Sequence, residues 1–341
     1  MESGLVRHDW LAGLQWDRTH YDAAMGINFF PIGIIDYAVK GSDANYGASA
    51  PLSQFQEDRY TTLAVYVQDQ MTVADRLHLL ASLRATQLRY QQLRGGATNE
   101  SYKKLTPRLG VTYDIAPALS AFAGYARGFR ATTNFLGMQP PVPETSMSTE
   151  AGIKFSATEL GLSGTVAAYR LSRENVPTAD PANPFLQVQT GRQRSRGVEA
   201  DLLWEPSPSL SVLGSYAYTR ARVTRDNLLP VGDLLARIPE NQGRVAVRYR
   251  VLSGQLAGLG LGAGFTTASR AELTLPNSGY QGDSQGVVDI QASYDWGRAK
   301  IGVAVANLFD RRYHLPYQYL ALPLVVAAPP RTVQATVGYQ F

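Results

Sequence analysis

The residue types that most often carry chemistry are few and scattered in this sequence. There is no cysteine, which excludes disulfide frameworks, thiolate zinc sites and cysteine nucleophiles. His8, His20, His78 and His314 lie far apart, without the His-Glu-x-x-His spacing of a zinc protease. No acid–base or nucleophile constellation converges either. We therefore predict that the protein is not an enzyme and carries no catalytic residue, metal site or cofactor.

The composition favours strands and turns over helices. Charged residues make up only 18% of the chain, whereas it has 19 tyrosines and 31 glycines. The net charge of +4 is small and dispersed, which argues against a nucleic-acid partner.

A strict alternation of apolar and polar side chains marks the elements. In the last eleven residues, Val333, Ala335, Val337, Tyr339 and Phe341 fall on one face and the polar residues on the other. The same period of two recurs over 10–16, 245–251, 257–265 and 288–296. Each stretch predicts a strand with one apolar face.

Short turns and long loops alternate along the chain. Turn signals fall about 40–50 residues apart, at Ala74-Asp75, Ala116-Pro117, Ala157-Thr158, Pro206-Ser207-Pro208, Ser253-Gly254 and Gly297-Arg298. Polar or Gly/Pro-rich stretches lie between them at 20–57, 91–101, 131–145, 175–186, 226–239, 272–285 and 313–329. Short turns on one side and long loops on the other are typical of outer-membrane β-barrels, and the spacing predicts about fourteen strands.

A soluble propeller is the alternative for a repeat of this length, but its four-stranded blades would need shorter strands than the alternation indicates. Tyr294, Trp296, Tyr339 and Phe341 stand beside the short turns, where an interfacial girdle belongs, and Tyr216 and Tyr218 suit the opposite belt. No apolar run approaches the length of a membrane helix, about 18 residues. Residues 1–10 lack the features of a secretory signal, so we expect a piece of a longer chain rather than a cytosolic protein.

Several short motifs identify a family resemblance. They are Ala64-Val-Tyr-Val-Gln-Asp-Gln70 with Asp75-Arg-Leu77, Thr106-Pro-Arg-Leu-Gly110, Tyr125-Ala-Arg-Gly-Phe-Arg130, Glu150-Ala-Gly-Ile-Lys154, Arg196-Gly-Val-Glu199 and Asn307-Leu-Phe-Asp-Arg-Arg-Tyr313. In this order, and with a terminal Phe341, they resemble the C-terminal part of the β-barrel of TonB-dependent outer-membrane receptors, ferric-siderophore receptors above all. The resemblance covers residues 1–341 as one all-β, antiparallel, up-and-down transmembrane barrel domain.

This resemblance implies an outer-membrane receptor of a Gram-negative bacterium that imports a ferric siderophore, with iron only as cargo. A whole receptor of this family has a plugged barrel of 22 strands. No plug domain is visible in this sequence, so a TonB contact through a plug is expected to lie outside it. The alternatives are a passive channel formed by a truncated, plugless barrel, or a receptor for haem, cobalamin or a glycan.

The resemblance also suggests where cargo binds, namely in the extracellular loops and the outer lumen. Aromatic side chains there stack on organic chelates or pack the loops together. The candidates are Phe29, Phe30 and Tyr37 in the first long loop and Tyr317 and Tyr319 in the last. His314 could ligate haem iron if the chain were a haem-uptake relative. However, Phe129-Arg-Ala-Thr132 departs from the Phe-Arg-Ala-Pro of haem receptors.

Arginines near the long-loop ends of strands give a second set of candidates. Arg192, Arg194 and Arg244, with Arg220 and Arg222, could form a basic funnel that steers an anionic chelate. Alternatively they pair with Glu199, Asp201 or Asp289, or contact phosphates of lipopolysaccharide, since outer-membrane lipid and lipopolysaccharide are expected partners. Arg248 and Arg250 alternate with apolar residues and should point into the lumen.

The same resemblance implies that the final strand carries an assembly signal. Barrels of this family are recognised through a terminal alternating strand, here with Tyr339 and Phe341. The barrel assembly machinery is therefore an expected partner. Asp310 and Tyr313 are expected to shape the exit of the preceding strand, with Asp310 paired to Arg311 or Arg312.

Overall fold

The computed structural model of the chain describes residues 2–3, 6–25, 53–94, 98–132, 139–183, 186–319 and 322–341. These residues form antiparallel strands joined by turns and loops, with one 3-10 turn at Thr158–Leu160. Within these ranges there is no helix that is long and apolar enough to cross a membrane.

The strands are long in the first two thirds of the chain and shorter after it. Their bounds are β1 Glu2–Ser3, β2 Val6–Met25, β3 Ser53–Val73, β4 Leu77–Gln92, β5 Thr98–Ala116, β6 Leu119–Arg130, β7 Glu144–Ala157, β8 Leu162–Ala179, β9 Gln187–Ser207, β10 Leu210–Arg225, β11 Asn241–Arg250, β12 Leu259–Ala268, β13 Gln285–Trp296, β14 Ala299–Ala306, β15 His314–Tyr319, β16 Leu322–Ala327 and β17 Thr332–Tyr339.

One antiparallel sheet contains most of these strands in sequence order, β1 to β14 followed by β17. Each strand pairs with its successor, which is the up-and-down topology that the alternation of turns and loops predicts. The sheet has 15 strands, and β1 is only two residues long, so the predicted fourteen full-length strands are confirmed.

A separate hairpin of β15 and β16 stands between β14 and β17. The sequence interpretation of 313–329 as plain loop is therefore wrong at this point. The polar and proline residues there gave no alternation, yet Leu315 pairs with Val326 and Tyr317 with Leu324, which supplies cross-strand contacts.

The sheet has two chemically distinct faces because side chains alternate along each strand. The face we call apolar carries Leu14, Val65, Leu109, Val198, Val245, Phe265 and Val337, which the register places on the same side. Leu14 is 71% exposed and Val337 is 79% exposed, so protein does not cover these side chains. The opposite, polar face carries Arg84, Glu150, Arg244 and Gln291. Apolar residues facing out and polar residues facing in are the signature of a transmembrane β-barrel wall.

Short turns lie at one end of the sheet, which we call the short-turn end, and the longer connections lie at the long-loop end. Ala74 and Asp75 both have positive φ, 48° and 55°, as a two-residue turn of type I′ requires between β3 and β4. Gly297 with φ of 59° serves the turn between β13 and β14. The turns at 74–75, 116–117, 157–158 and 297–298 fall where the sequence predicts them.

Packing against other protein groups is concentrated at the long-loop end of β3 and β4. Tyr60, Leu88 and Tyr90 are each 4% exposed, and Tyr21, Tyr102 and Phe129 pack around them. This small cluster ties the first strands together on the polar face, where the wall would otherwise be a single layer.

Candidate ligand-binding surface

A shallow cavity of about 240 Å³ lies on the polar face across β11 to β14. Arg244 and Arg248 of β11 border it, and Asp289 and Gln291 of β13 stand opposite them. The register supports this arrangement, since Arg244 pairs with Thr266 of β12 and Gly264 of β12 pairs with Asp289. Arg248 and Arg250 share this face, as the sequence predicts.

Glycines make room for the long side chains of this cavity. A Cβ atom at Gly262 would lie 2.8 Å from Gln291, and one at Gly264 would lie 3.0 Å from the Arg244 guanidinium. Both distances are too short for a side chain to be added without movement of its neighbour. The alternation of glycine along β12 therefore lets the arginine and the glutamine lie across the strand and present their polar ends to the lumen.

The charge in the cavity is positive. Arg244 donates to Thr266 Oγ1 at 2.7 Å, and its Nη1 atom is 4.0 Å from Asp289. Asp289 also accepts the backbone N–H of Asn307 at 2.9 Å. No carboxylate of the described residues lies within salt-bridge distance of Arg248. One acid thus faces two arginines, and the planar guanidinium of Arg248 has donors available to an anion.

A second polar cluster lies at the long-loop end of β3 and β4. Asp58 is 1% exposed and accepts hydrogen bonds from Gln56 Nε2 at 2.5 Å and from the Tyr90 hydroxyl at 3.0 Å. Tyr60 donates to the carbonyl of Thr132 at 3.2 Å, which ties the loop after β6 to this wall. These hydrogen bonds join β3, β4 and the loop after β6 in a buried place, which gives the cluster a structural role.

A third cluster joins β6, β7 and β8 on the polar face. Glu144, whose side chain is 8% exposed, accepts hydrogen bonds from Arg130 Nη2 at 3.1 Å on both oxygens and from Arg173 Nη2 at 2.5 Å. Gln189 adds a link by donating to Thr132 Oγ1 at 3.0 Å. Arg130 belongs to a motif that sequence reasoning singled out, but Glu144 stands at the edge of a predicted loop and was missed.

The last loops interlock at the same end. Asp283 accepts from the backbone N–H of His314 and lies beside its ring Nδ1, both at 3.0 Å. The His314 side chain, and then its backbone N–H, hold the pKa of Asp283 below the usual range of a carboxyl group. Asn277 joins the loop after β10, because its Oδ1 accepts from Leu234 N–H at 2.8 Å.

The motif that begins at Asn307 shapes the exit of β14, as predicted. Asn307 and Asp310 both have φ of 52°, and Asn307 Oδ1 accepts the backbone N–H of Arg311 at 2.9 Å. Asp310 does not pair with Arg311 or Arg312. Its carboxylate instead accepts the backbone N–H of Arg331 at 2.9 Å, which fixes the entry to β17.

The residues predicted to bind cargo divide between the two faces. Arg244 is on the polar face, whereas Arg192 and Arg194 share the apolar side of β9 with Val198, so the single funnel of the sequence interpretation is wrong for them. Arg192 lies 3.6 Å from Glu174. None of the arginines pairs with Glu199 or Asp201 in the described residues.

The aromatic candidates stay largely predictions. Tyr317 is 48% exposed on the β15–β16 hairpin, while the side chain of Tyr319 and the whole of Phe29, Phe30 and Tyr37 lie outside the described residues. Tyr339 and Phe341 pack edge to face, with centroids 5.3 Å apart, and are exposed at the short-turn end, where the girdle was predicted.

Comparison with known proteins shows which family has this architecture. Residues 3–308 match the family described as TonB dependent receptor-like, beta-barrel. The metal-pseudopaline receptor CntO of Pseudomonas aeruginosa PAO1 is 30% identical over 329 residues, which are 92% of this chain and 46% of that protein. The ferrichrome outer membrane transporter/phage receptor of Escherichia coli K12 is 30% identical over 260 residues, 73% of this chain and 34% of that one.

Solved structures share the fold. The ferric-catecholate import receptor Fiu of E. coli K12 superposes with a TM-score of 0.82 at 17% identity, covering 100% of this chain and 53% of that one. The pyoverdine receptor FpvA of P. aeruginosa PAO1 superposes with a TM-score of 0.83 at 20% identity, covering 98% of this chain and 50% of that one. The chain spans about half the length of these relatives. It belongs to the TonB-dependent receptor β-barrel family, whose members are transport receptors of the Gram-negative outer membrane and not enzymes.

Proposed function

We propose that the chain is the greater part of the barrel of a receptor for TonB-dependent uptake of an anionic ferric siderophore. The observation that carries the proposal is the cavity bordered by Arg244 and Arg248 on the lumen-facing side of β11. Here a positive surface faces the lumen, and among the described lining residues Asp289 is the carboxylate that offsets it.

The chemistry of the cavity suits an anionic chelate. Hydroxamate, catecholate and carboxylate groups surround iron in siderophores with oxygen atoms, several of them anionic, and guanidinium forks donate to such oxygens in pairs. Related proteins are named receptors for ferrioxamine B and for ferric pyoverdines, which supports a metal–chelate cargo. Tyr317 is the described loop aromatic that we propose as a further contact, by stacking on the organic part of the chelate.

The metal in the cargo is a separate question from the chelating group. One relative that is 30% identical over 92% of this chain is named a metal-pseudopaline receptor, so a metallophore with another transition metal is the second candidate. Both cargoes would use the same arginines, because these residues contact the organic ligand and not the metal. We propose that TonB coupling resides in a part of the whole receptor beyond the matched barrel.

Binding of a panel of chelates tests the proposal. Purified protein is titrated by calorimetry with iron-loaded hydroxamate, catecholate and carboxylate siderophores and with nickel- and zinc-loaded metallophores. Hydrogen bonds to charged groups contribute about 1.5–3 kcal/mol each, so Arg248→Gln should weaken the bound chelate about 10-fold to 100-fold.

Arg298→Gln is the control, because Arg298 stands in the short turn between β13 and β14 and does not line the cavity. Equal affinity of the Arg248 variant, the control and the unmodified protein would refute the role of the cavity. Steady ion conductance in planar bilayers, together with no chelate binding, would favour the passive channel instead.

A further inference from the structure

Asn307 stands between the cavity on β11 to β14 and the β15–β16 hairpin. It directly follows Ala306, which lines the cavity at the end of β14. Its φ of 52° is a value that glycine adopts more readily than any other residue, yet the position holds a side chain that is almost fully buried, with 4% of the residue exposed. A turn alone would be served by glycine, so the buried amide has a use of its own.

The side chain of Asn307 holds both ends of the hairpin. Its Oδ1 atom accepts the backbone N–H of Arg311 at 2.9 Å, and its Nδ2 atom donates to the carbonyl of Arg311 at 3.0 Å. The same Nδ2 atom donates to the carbonyl of Pro329 at 3.3 Å. Arg311 leads into β15 and Pro329 follows β16, so one amide joins the two stems of the hairpin.

The backbone N–H of Asn307 connects the same turn to the cavity. It donates to Asp289 Oδ1 at 2.9 Å, while the other carboxylate oxygen of Asp289 lies 4.0 Å from Arg244 Nη1. Hydrogen bonds to a carboxylate are stronger than those between neutral groups. The bond from Asn307 therefore fixes the orientation of Asp289, and Asp289 in turn limits the positions that the Arg244 guanidinium can adopt.

The guanidinium of Arg311 ties the hairpin to the strand that carries Asp289. Its Nη1 atom donates to the carbonyl of Gly286 at 3.2 Å, and its Nη2 atom donates to the carbonyl of Ser284 at 3.1 Å. A Cβ atom at Gly286 would lie 2.5 Å from Arg311 Nη1, so a side chain there would displace the guanidinium. Hairpin and cavity thus share one continuous set of hydrogen bonds with Asn307 at its centre.

We propose that Asn307 is a positioning residue for cargo binding, which holds Arg244 of the cavity and Tyr317 of the hairpin at one spacing. This rests on the proposed function, in which Arg244 donates to the anionic oxygens of the chelate and Tyr317 stacks on its organic part. A fixed spacing favours chelates of one size, because neither contact has to be ordered when the cargo binds. Asn307 therefore contributes to specificity without touching the cargo.

Hydrogen exchange of the purified protein without any chelate tests the link itself. Asp289→Ala removes the acceptor of the Asn307 N–H, so the amides of 314–319 and 322–327 should exchange about 10-fold faster. Asp289→Asn retains an acceptor oxygen, so the hairpin should exchange as in the unmodified protein. Unchanged exchange in β4 and β5 shows that each variant is folded. Equal hairpin exchange in the two variants would overturn the proposal.

Titration with the panel of chelates tests the effect on cargo. Asn307→Gly suits the φ of 52° and keeps the N–H that donates to Asp289, but it releases both stems of the hairpin. It should weaken the chelate that the unmodified protein binds best about 10-fold. Poorly bound chelates should lose less, so discrimination among siderophores falls. Equal weakening of every chelate would indicate a structural role only and would overturn the proposal.

Asp310→Gly is the matched control, because Asp310 lies in the same turn with the same φ of 52°. Its carboxylate accepts the backbone N–H of Arg331 and does not contact the hairpin stems, so this variant should bind chelates like the unmodified protein.

The variant Arg248→Gln separates this proposal from the proposed function. If Arg248→Gln weakens the chelate but Asn307→Gly and Asp310→Gly bind it equally well, the cavity binds cargo and the positioning role is refuted. If Arg248→Gln binds the chelate like the unmodified protein, the proposed function fails, and the positioning role fails with it whatever the exchange data show. Selective weakening in Asn307→Gly, with faster hairpin exchange in Asp289→Ala, is the result expected.

Discussion

Removal of the Glu144 carboxylate should destabilise the folded barrel more than removal of any other acid on the same face of β7. Its side chain is 8% exposed and bonded to both Arg130 and Arg173, whose side chains are 68% and 36% exposed. Breaking a buried ion pair costs about 3–5 kcal/mol, because the partner charge stays behind without water. Here both arginine side chains are partly exposed to solvent, so for Glu144→Ala we expect a decrease of about 2–3 kcal/mol in the free energy of unfolding.

The two arginines should not contribute equally. Arg173 is less exposed than Arg130 and also donates to Gln193 Oε1 at 3.2 Å, whereas Arg130 can be hydrated when its partner is lost. We expect Arg173→Ala to lower the free energy of unfolding more than Arg130→Ala does. A double-mutant cycle of Glu144 and Arg173 should give a coupling energy of about 1–2 kcal/mol.

Reversible urea unfolding of the barrel in lipid vesicles, followed by tryptophan fluorescence, measures these values. Glu150→Ala is the control, because Glu150 lies on the same strand and face, is exposed, and has no ion pair among the described residues. A Glu144→Ala effect below about 0.5 kcal/mol, or one equal to that of Glu150→Ala, would refute the reasoning.

Three other outcomes follow from local geometry. Ala74→Gly should stabilise the barrel by about 1 kcal/mol in the same unfolding assay, since alanine at φ of 48° is strained and glycine is not, and a loss of stability would contradict this. The pKa of Asp283 is lower in the folded protein, so its contact with His314 stabilises the last loops above the unfolded pKa, about 3.9, and is lost as pH falls through the folded value. Protection of 272–285 against hydrogen exchange, relative to the intrinsic exchange rate at each pH, should therefore stay constant from pH 7 to about 4 and fall below that, and a fall already near neutrality would refute it. Deletion of Phe341 should impair outer-membrane assembly by the barrel assembly machinery, and unchanged heat-modifiable mobility and surface exposure would show that the residue is dispensable.

The sequence predicts the sheet well because its strongest signals are local. Alternation such as that of Val333 to Phe341 and turns such as Gly297-Arg298 each depend on residues near one another in the chain. The clusters could not be found in this way, because Glu144 and Arg173 meet only through the pairing of β7 with β8. The β15–β16 hairpin was missed because Pro316 interrupts the alternation that would have marked it.

The positions of the arginines show that strand register determines which side chains of a single-layer wall reach the lumen and which face lipid. A shift of one residue in β9 would turn Arg194 and Arg196 into the lumen and bring Ser195 and Gly197 to the lipid. Gly197 opposes such a shift, because a Cβ atom there would lie 2.0 Å from the carbonyl oxygen of Tyr218 and 2.8 Å from the Tyr169 ring. Any residue with a side chain would clash at that position, so the glycine fixes which residues of β9 face inward. The motif Arg196-Gly-Val-Glu199 thus holds its arginine on the apolar face and its glutamate on the polar face, and separates the two charges across the wall.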